Sequence, residues 1–327
     1  MSGDVGDIIL DDLPTIIQGD IAEAQVAAEE RQTEDRRTFI GGSDAAAAIG
    51  MSPWKDRLTL WEEKTGTVIP EDISGKDAVY WGTVLEAVVA AEYARRTGQK
   101  VRRQAKLIRH PDHTFMGAHL DRLIEGTRGF LEVKTTGMLG EEWGEEGTDQ
   151  VPAHYMIQVQ HYMAVTGREW ADIAVLGGGQ HFRLYHVPAD PAFIENLITL
   201  ESLFWELVEI KQPPDPDSSD AANRRWPLSK AVEIQADPTV ELAARSLREI
   251  KDRIKEAETT AEELELIIKK ALGDAGDTLM AGKEKLASWK TQTARCFDTK
   301  AFATAEPEVY ESYKRETTSR VLRIHVK

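Results

Sequence analysis

The stretch GFLEVKTT, residues 129–136, decides how this chain folds. Its alternation puts Leu131 and Val133 on one face of a strand and Glu132 and Lys134 on the other. A carboxylate and an amine therefore project together from one strand. Upstream, FMGAHLDRLI (115–124) also has strand character, and EGTR (125–128) between the two reads as a hairpin turn. With the turn centred between Gly126 and Thr127, the antiparallel register sets Asp121 opposite Glu132. Two carboxylates facing each other across a ladder repel unless a divalent cation lies between them. Oxygen donors favour Mg²⁺ or Mn²⁺ over Zn²⁺.

Working outward, WGTVLEAVVAAEYARRTG (81–98) predicts a helix. Leu85, Val88, Val89 and Tyr93 recur at helical spacing, and Gly98 ends it. Glu86 lies at the margin of its buried face, a costly place for an unpartnered carboxylate, and is the third acid of interest. Earlier, TFIGGSDAAAAIG (38–50) predicts a helix through Ala45–Ala48 capped by Ser43 or Asp44. MSPWKD (51–56) is a turn, and LTLWEEKTG (58–66) is a helix stopped by Gly66. Val101 to Ile108 predicts a strand. Downstream, VPAHYMIQVQHYMAVTG (151–167) predicts a helix on which Gln158 and Tyr162 share a face. ADIAVLGGG and HFRLYHVP follow as strands, with a helix over 191–210. The order helix, strands, helix, strands predicts an α/β fold: a central mixed sheet flanked by helices.

The flanking regions differ in composition. Residues 1–35 hold ten acids and one base and predict a mobile arm, with a short helix at 20–31. The sheet domain is assigned to 36–212. PPDPDSSD (213–220) opens a linker assigned to 213–238. Residues 239–327 form a C-terminal extension. Within it, Val240, Ala243, Leu247, Ile250, Ile254, Ala257, Ala261, Leu264, Ile268 and Ala271 follow a heptad pattern. Packing of this helix on its own domain is favoured over a partner-binding coiled coil, with Thr259 and Thr260 expected to fold it back. KEKLASWKTQ through SRVLRIHV predicts strand, short helix, strand.

Net charge is −16, yet residues 95–109 carry seven bases and no acid, a stripe that suits phosphates or simply a solvated surface. No apolar run reaches the roughly 18 residues of a membrane span, and the acidic N-terminus lacks a signal-peptide pattern. The lone Cys296 excludes an intrachain disulfide and fits a reducing cytosol.

These parts suggest phosphodiester chemistry. Asp121 and Glu132 would hold the metal, with the Val133 carbonyl as a further ligand. A bound metal lowers the pKa of water and neutralises charge developing on phosphate. Lys134 would orient or deprotonate that water and stabilise the pentacovalent state. Glu86 would complete a second metal site, and Gln158 would position water or phosphate.

Read together, IGGSDAAAAIGMSPW, WGTVLEA, HLD, LEVKTT and PAHYMIQVQHYMAVTG resemble, in order, the blocks of the YqaJ-type phage recombinases. That family resembles lambda exonuclease and belongs to the PD-(D/E)XK nuclease superfamily. The resemblance covers roughly residues 36–210. It implies a PD-(D/E)XK core and a 5′→3′ exonuclease resecting double-stranded DNA ends. The product would be a 3′ overhang for a single-strand-annealing partner, made by a homo-oligomeric ring, with a trimer preferred. Glu86, Asp121, Glu132, Lys134 and Gln158 match the catalytic positions, with two Mg²⁺ ions per site. Ser43 matches a serine binding the 5′-terminal phosphate, or serves as an ordinary N-cap. Arg36, or Arg37 instead, stands at the spacing of a phosphate-binding arginine. Tyr162 is counted with Arg36 and Ser43 as a DNA-contacting candidate. Val79, Tyr80 and Trp81 sit where relatives place a strand-parting wedge, although core packing is favoured for Trp81. His154 and His161 could touch phosphate but read more simply as polar-face histidines.

Leu120 replaces the family's proline before the metal-binding aspartate, and residues after 213 lie outside the resembling core. The implied setting is a bacterial host cytosol and a phage or prophage gene. Two rivals remain: a PD-(D/E)XK endonuclease or repair nuclease with another DNA substrate, and a catalytically silent assembly or adaptor protein.

Overall fold

The computed structural model describes residues 35–73, 75–104 and 106–326. The acidic arm and its expected helix at 20–31 lie outside the described residues, apart from Asp35. Contacts divide the chain into two compact units, with the boundary between Arg225 and Trp226.

The first unit is built on a five-stranded sheet in the order β1-β4-β5-β6-β7: β1 (Val101–Arg103), β4 (Arg122–Ile124), β5 (Gly129–Thr136), β6 (Trp170–Gly177) and β7 (His181–Pro188). Only β5 and β6 are parallel, which makes the sheet mixed. A parallel pair needs a crossover, here helix α4 (Ala153–Thr166), capped by Gly167 in the left-handed region at φ 64°. The strand alternation then sorts the core. Leu131, Val133 and Ala174 pack with Val89, Ala90 and Tyr93 of α3 (Asp77–Thr97). Phe130, Ile173, Val175 and Tyr185 pack with Val159, Tyr162 and Met163 of α4 on the other face. A helical layer adds α1 (Gly42–Ala48), α2 (Arg57–Lys64), α5 (Pro191–Glu209) and α6 (Ser219–Arg225) around Leu58, Leu60, Ile157 and Phe204. The α/β architecture expected from the sequence is the one observed.

Several boundaries differ from expectation. Residues 101–108 and 115–124 each form two short strands. The parts belong to different sheets: β2 (Ile108–Arg109) pairs with β3 (Gly117–Ala118), while β1 pairs with β4. Helix α1 starts one residue before Ser43. Gly41 is its N-cap, with no side-chain cap bond, so neither Ser43 nor Asp44 caps it. On α3, Val88 is exposed, and the buried positions are Ala87, Val89, Ala90 and Tyr93. The linker assignment also shifts. Residues 219–225 form α6, whose Ala221 is fully buried and whose Arg224 grips Asp56 at 2.9 Å, so this segment folds with the first unit.

The second unit holds α7 (Pro238–Leu272), the hairpin β8 (Thr278–Ala281) and β9 (Glu284–Ser288), and helices α8 (Thr299–Ala305) and α9 (Pro307–Ser312). Helix α7 runs unbroken for 35 residues. Thr259 and Thr260 do not fold it back; their hydroxyls bond to the carbonyls of Lys255 and Glu256 one turn earlier. Its heptad residues Ile250, Ile254 and Leu264 stay exposed, not packed as expected. The expected final strand at 319–326 is irregular. No described helix is long and apolar enough to cross a membrane.

His161 corrects another expectation. It is fully buried, because α4 is covered by the sheet on one side and α5 on another. Its Nδ1 lies 2.8 and 3.0 Å from the Glu201 carboxylate oxygens, and its Nε2 lies 3.0 Å from the Gly117 carbonyl. Two acceptors on two ring nitrogens call for the imidazolium. Burial opposes that charge, but Glu201 and the carbonyl outweigh it and raise the pKa above its ordinary value. Such a group stabilises fully below its unfolded pKa of about 6.5, and the benefit is lost as pH rises through the folded value. We expect the urea midpoint to fall from pH 6 to pH 9 more steeply in the wild type than in the double variant His161→Gln/Glu201→Gln. Equal slopes would refute this account.

Candidate active site

At one end of the sheet, between α1, α3 and α4, lies an open cleft of about 350 Å³. Arg36, Ser43, Glu86, Asp121, Glu132, Val133, Lys134, Gln158 and Tyr162 all line it. These nine residues span more than 120 positions of sequence, and the fold brings them to one place.

The hairpin register sets the centre. Arg122 pairs with Leu131 and Leu123 with Phe130, and continuing that register one position away from the turn would set Asp121 opposite Glu132. The ladder stops there. Instead, the Val133 amide donates to Asp121 Oδ2 at 2.9 Å, which fixes that carboxylate beside the strand. Glu132 is almost completely buried. Its Oε1 accepts from Lys134 Nζ at 2.6 Å and from Gln158 Nε2 at 2.7 Å. Gln158 Nε2 also lies 3.1 Å from the Tyr162 hydroxyl. Burial works against the Lys134 charge, yet Glu132 and Asp121 outweigh it and raise its pKa, so this amine is a cation near neutrality. Its Nζ also sits 5.0 Å above the Tyr155 ring.

Glu86 reaches the cleft from α3, on the opposite face of the sheet. Its carboxylate accepts from Arg122, with Arg103 a further 3.8 Å away. Arg103 and Arg122 are cross-strand partners on β1 and β4. Burial raises the Glu86 pKa first, and the Asp121 charge adds to it, against the two arginines. Sequence reasoning missed Arg122. The signal was its parity with Ile124, which puts a cation on the α3-facing side of β4, where an acid must answer it.

The donor set suits a hard divalent cation, because Asp121, Glu132 and the Val133 carbonyl offer oxygen alone. Among the described residues, however, no three acid, His or Cys side chains converge closely enough to hold an ion unaided. Glu86 does not join the other two carboxylates here, since Arg122 engages it.

On the opposite wall, Arg36 Nη2 donates to Ser43 Oγ at 3.3 Å. Behind them Asp44 is buried, with Lys64 Nζ at 2.8 Å, Lys55 Nζ at 3.6 Å and Arg36 at 3.8 Å. Burial opposes the Asp44 charge, but these three cations prevail and hold its carboxyl well below the usual range. Lys64 also bonds the Arg36 carbonyl at 2.7 Å, so the base of the arginine is tied down.

Other candidates fall elsewhere. Arg37 pairs with Asp35 at 2.8 Å. His154 does not line the cleft, and burial lowers its pKa. Val79 lines the cleft, while Tyr80 and Trp81 are exposed in an edge-to-face pair at 5.4 Å; Trp81 is not a core residue. The basic stretch does not form one stripe. Arg95 and Arg96 pair with Glu92, Arg103 turns toward Glu86, and Arg109 bonds Thr38 and Thr114 beneath Phe39.

Comparison with known proteins identifies the family. Residues 33–169 match the YqaJ-like viral recombinase domain. The chain is also 36% identical over 293 residues to a Bacillus subtilis (strain 168) protein called "Uncharacterized protein YqaJ", covering 86% of this chain and 90% of that one. The chain belongs to the YqaJ family. Among solved structures it is similar to an alkaline exonuclease from Laribacter hongkongensis, LHK-Exo. There the identity is 22% and the TM-score 0.44, covering 58% of this chain and 94% of that one. It is also similar to a phage-related exonuclease from Haemophilus somnus 129PT, at 11% identity and a TM-score of 0.40, covering 53% and 96%.

Helices α1 and α4 meet at Gly42, where an added Cβ would lie 2.3 Å from the Tyr162 ring. We expect Gly42→Ala to destabilise by about 1–3 kcal/mol through overpacking. In urea titrations Tyr162→Ala should recover part of that loss when combined with it. Strict additivity of the two changes would show that the ring is not what Gly42 accommodates.

Proposed function

We propose that this chain is a divalent-metal-dependent deoxyribonuclease that resects double-stranded DNA ends in the 5′→3′ direction. The 3′ overhangs would serve a single-strand-annealing protein during recombination. Membership of a viral recombinase family supports a nuclease. The observation that carries the reading is the convergence of Lys134 and Gln158 on Glu132, with Asp121 accepting from the next amide of the same strand.

Asp121 and Glu132, with the Val133 carbonyl, would hold Mg²⁺, for which Mn²⁺ would substitute; Glu86, once released by Arg122, would serve a second ion. The bound metal supplies a Lewis acid and an acidified water. Lys134 brings a positive charge to the phosphate under attack and stabilises the extra negative charge of the pentacovalent state. Gln158 holds the Glu132 carboxylate in orientation. Arg36 and Ser43 bind the 5′-terminal phosphate, with Arg36 steadied from behind by Asp44 and Lys64. Tyr162 lines the path of the strand. Val79, Tyr80 and Trp81 stand at the mouth, where they part the two strands. The active form is a homo-oligomeric ring, a trimer, whose basic residues face the threaded DNA and whose acids face outward. That arrangement reconciles the net charge of −16 with a polyanionic substrate. The setting is a host cytosol, from a phage or prophage gene.

Mg²⁺-dependent digestion of linear duplex labelled at either end tests activity and polarity together. Loss of the 5′ label first is expected, whereas a closed circular plasmid stays intact. Nicking of the plasmid would point to an endonuclease instead. Lys134→Ala should cut cleavage by about 100- to 1000-fold while DNA binding persists. Unchanged cleavage would remove Lys134 from the chemistry, whereas recombination left intact by Lys134→Ala and Glu132→Ala would leave an adaptor with a silent site. Removal of the 5′ phosphate should slow digestion in the wild type but not in Arg36→Ala, and light scattering should report three subunits.

A further inference from the structure

One aromatic side chain beside the cleft takes no part in the core. Trp54 is 81% exposed. It is nonetheless held in place. Ser52 Oγ accepts from the amides of Trp54 at 3.2 Å and Lys55 at 3.3 Å, which pins the backbone of the turn. The indole meets the His154 ring edge-on, with centroids 6.0 Å apart and planes at 81°.

Two chains of contact lead from it toward the site. On one side the next residue, Lys55, reaches Glu63 at 2.5 Å and Asp44 at 3.6 Å, and Asp44 adjoins Arg36. On the other side the His154 ring packs on Tyr155 at 4.1 Å, and Tyr155 lies beneath Lys134 Nζ. Trp54 thus stands between the wall carrying Arg36 and Ser43 and the row of rings leading to Lys134.

We propose that Trp54 is a stacking platform for an unpaired nucleobase of the DNA strand held in the cleft. The inference rests on the nuclease reading above and adds a contact that reading does not contain. A flat ring with its backbone pinned and its edge braced loses little freedom when a base stacks on it. Every base has a π-face, so the contact is indifferent to sequence, as a resecting enzyme requires. A base can reach such a ring only when it is out of the duplex stack, so the platform selects a frayed or single-stranded nucleotide. Arg36, Lys55 and Lys64 outnumber the Asp44 and Glu63 carboxylates they engage, which leaves net positive charge along the same path. Burial and the nearby Lys134 hold His154 below its ordinary pKa, so the ring behind Trp54 is an uncharged aromatic surface at neutral pH.

The exposure of Trp54 makes the test clean, since Trp54→Ala removes nothing from the core. Fluorescence anisotropy of the full-length protein with partial duplexes bearing a single-stranded end, in Ca²⁺, measures binding. Trp54→Ala should weaken Kd by about 5- to 150-fold, and Trp54→Phe should keep most of the affinity. An abasic scan of the single strand should show one sensitive position in the wild type, and that sensitivity should vanish in Trp54→Ala. If Trp54→Ala binds as the wild type does, or weakens binding with the abasic profile unchanged, the platform is wrong while the nuclease reading stands. If the wild type neither binds nor digests DNA, the nuclease reading itself falls, and the platform with it.

Discussion

Asp121 and Glu132 line one cleft at the end of the β4–β5 hairpin, and two carboxylates brought close together repel by a few kcal/mol at the effective dielectric of a protein. The surroundings answer that repulsion group by group. The Val133 amide takes one oxygen of Asp121. Lys134 and the Gln158 amide share one oxygen of Glu132. Each donor comes from an element whose place is set by something else: Val133 and Lys134 by the sheet, Gln158 by a helix locked between two strands that must run parallel. The acid pair is thus tolerated by rigid neighbours, not by flexible side chains that could leave.

Glu86 meets a separate solution. It arrives from the other face of the sheet, where burial makes its charge expensive, and two cross-strand arginines supply the counter-charge. A carboxylate held by arginine on one side and facing an acid-lined cleft on the other has two alternative partners. Arg122 therefore sets how freely Glu86 can turn toward a cation.

The sequence made the active-site hairpin legible because three local rules agreed there: strand alternation, a tight turn containing glycine, and a fixed antiparallel register. The crossover helix was legible from its periodicity and from Gly167. What escaped was non-local. The separations of β1 from β2 and of β3 from β4 arise because neighbouring segments join different sheets, which no window of sequence records. His161 was misread because its face of α4 is covered by α5, some forty residues later. Residues 219–225 looked like linker because a Pro/Asp/Ser-rich turn precedes them, yet Ala221 and Arg224 dock on α2 and its neighbours. Arg122 and Asp44 escaped for a related reason. Their partners, Glu86 and Lys64, lie 36 and 20 positions away.

The long ladder of β5 has a consequence for the life of the chain. Strand β5 pairs with β4 over two residues but with β6 along its whole length, and β6 is reached only after α4 is complete. During synthesis Glu132, Lys134 and Gln158 all leave the ribosome before residue 170, so they emerge without the strand that holds β5 in place. The acids and the lysine come into register only when Gly177 is out. A chain cut short before that point carries every side chain of the cleft and still lacks the scaffold that aligns them.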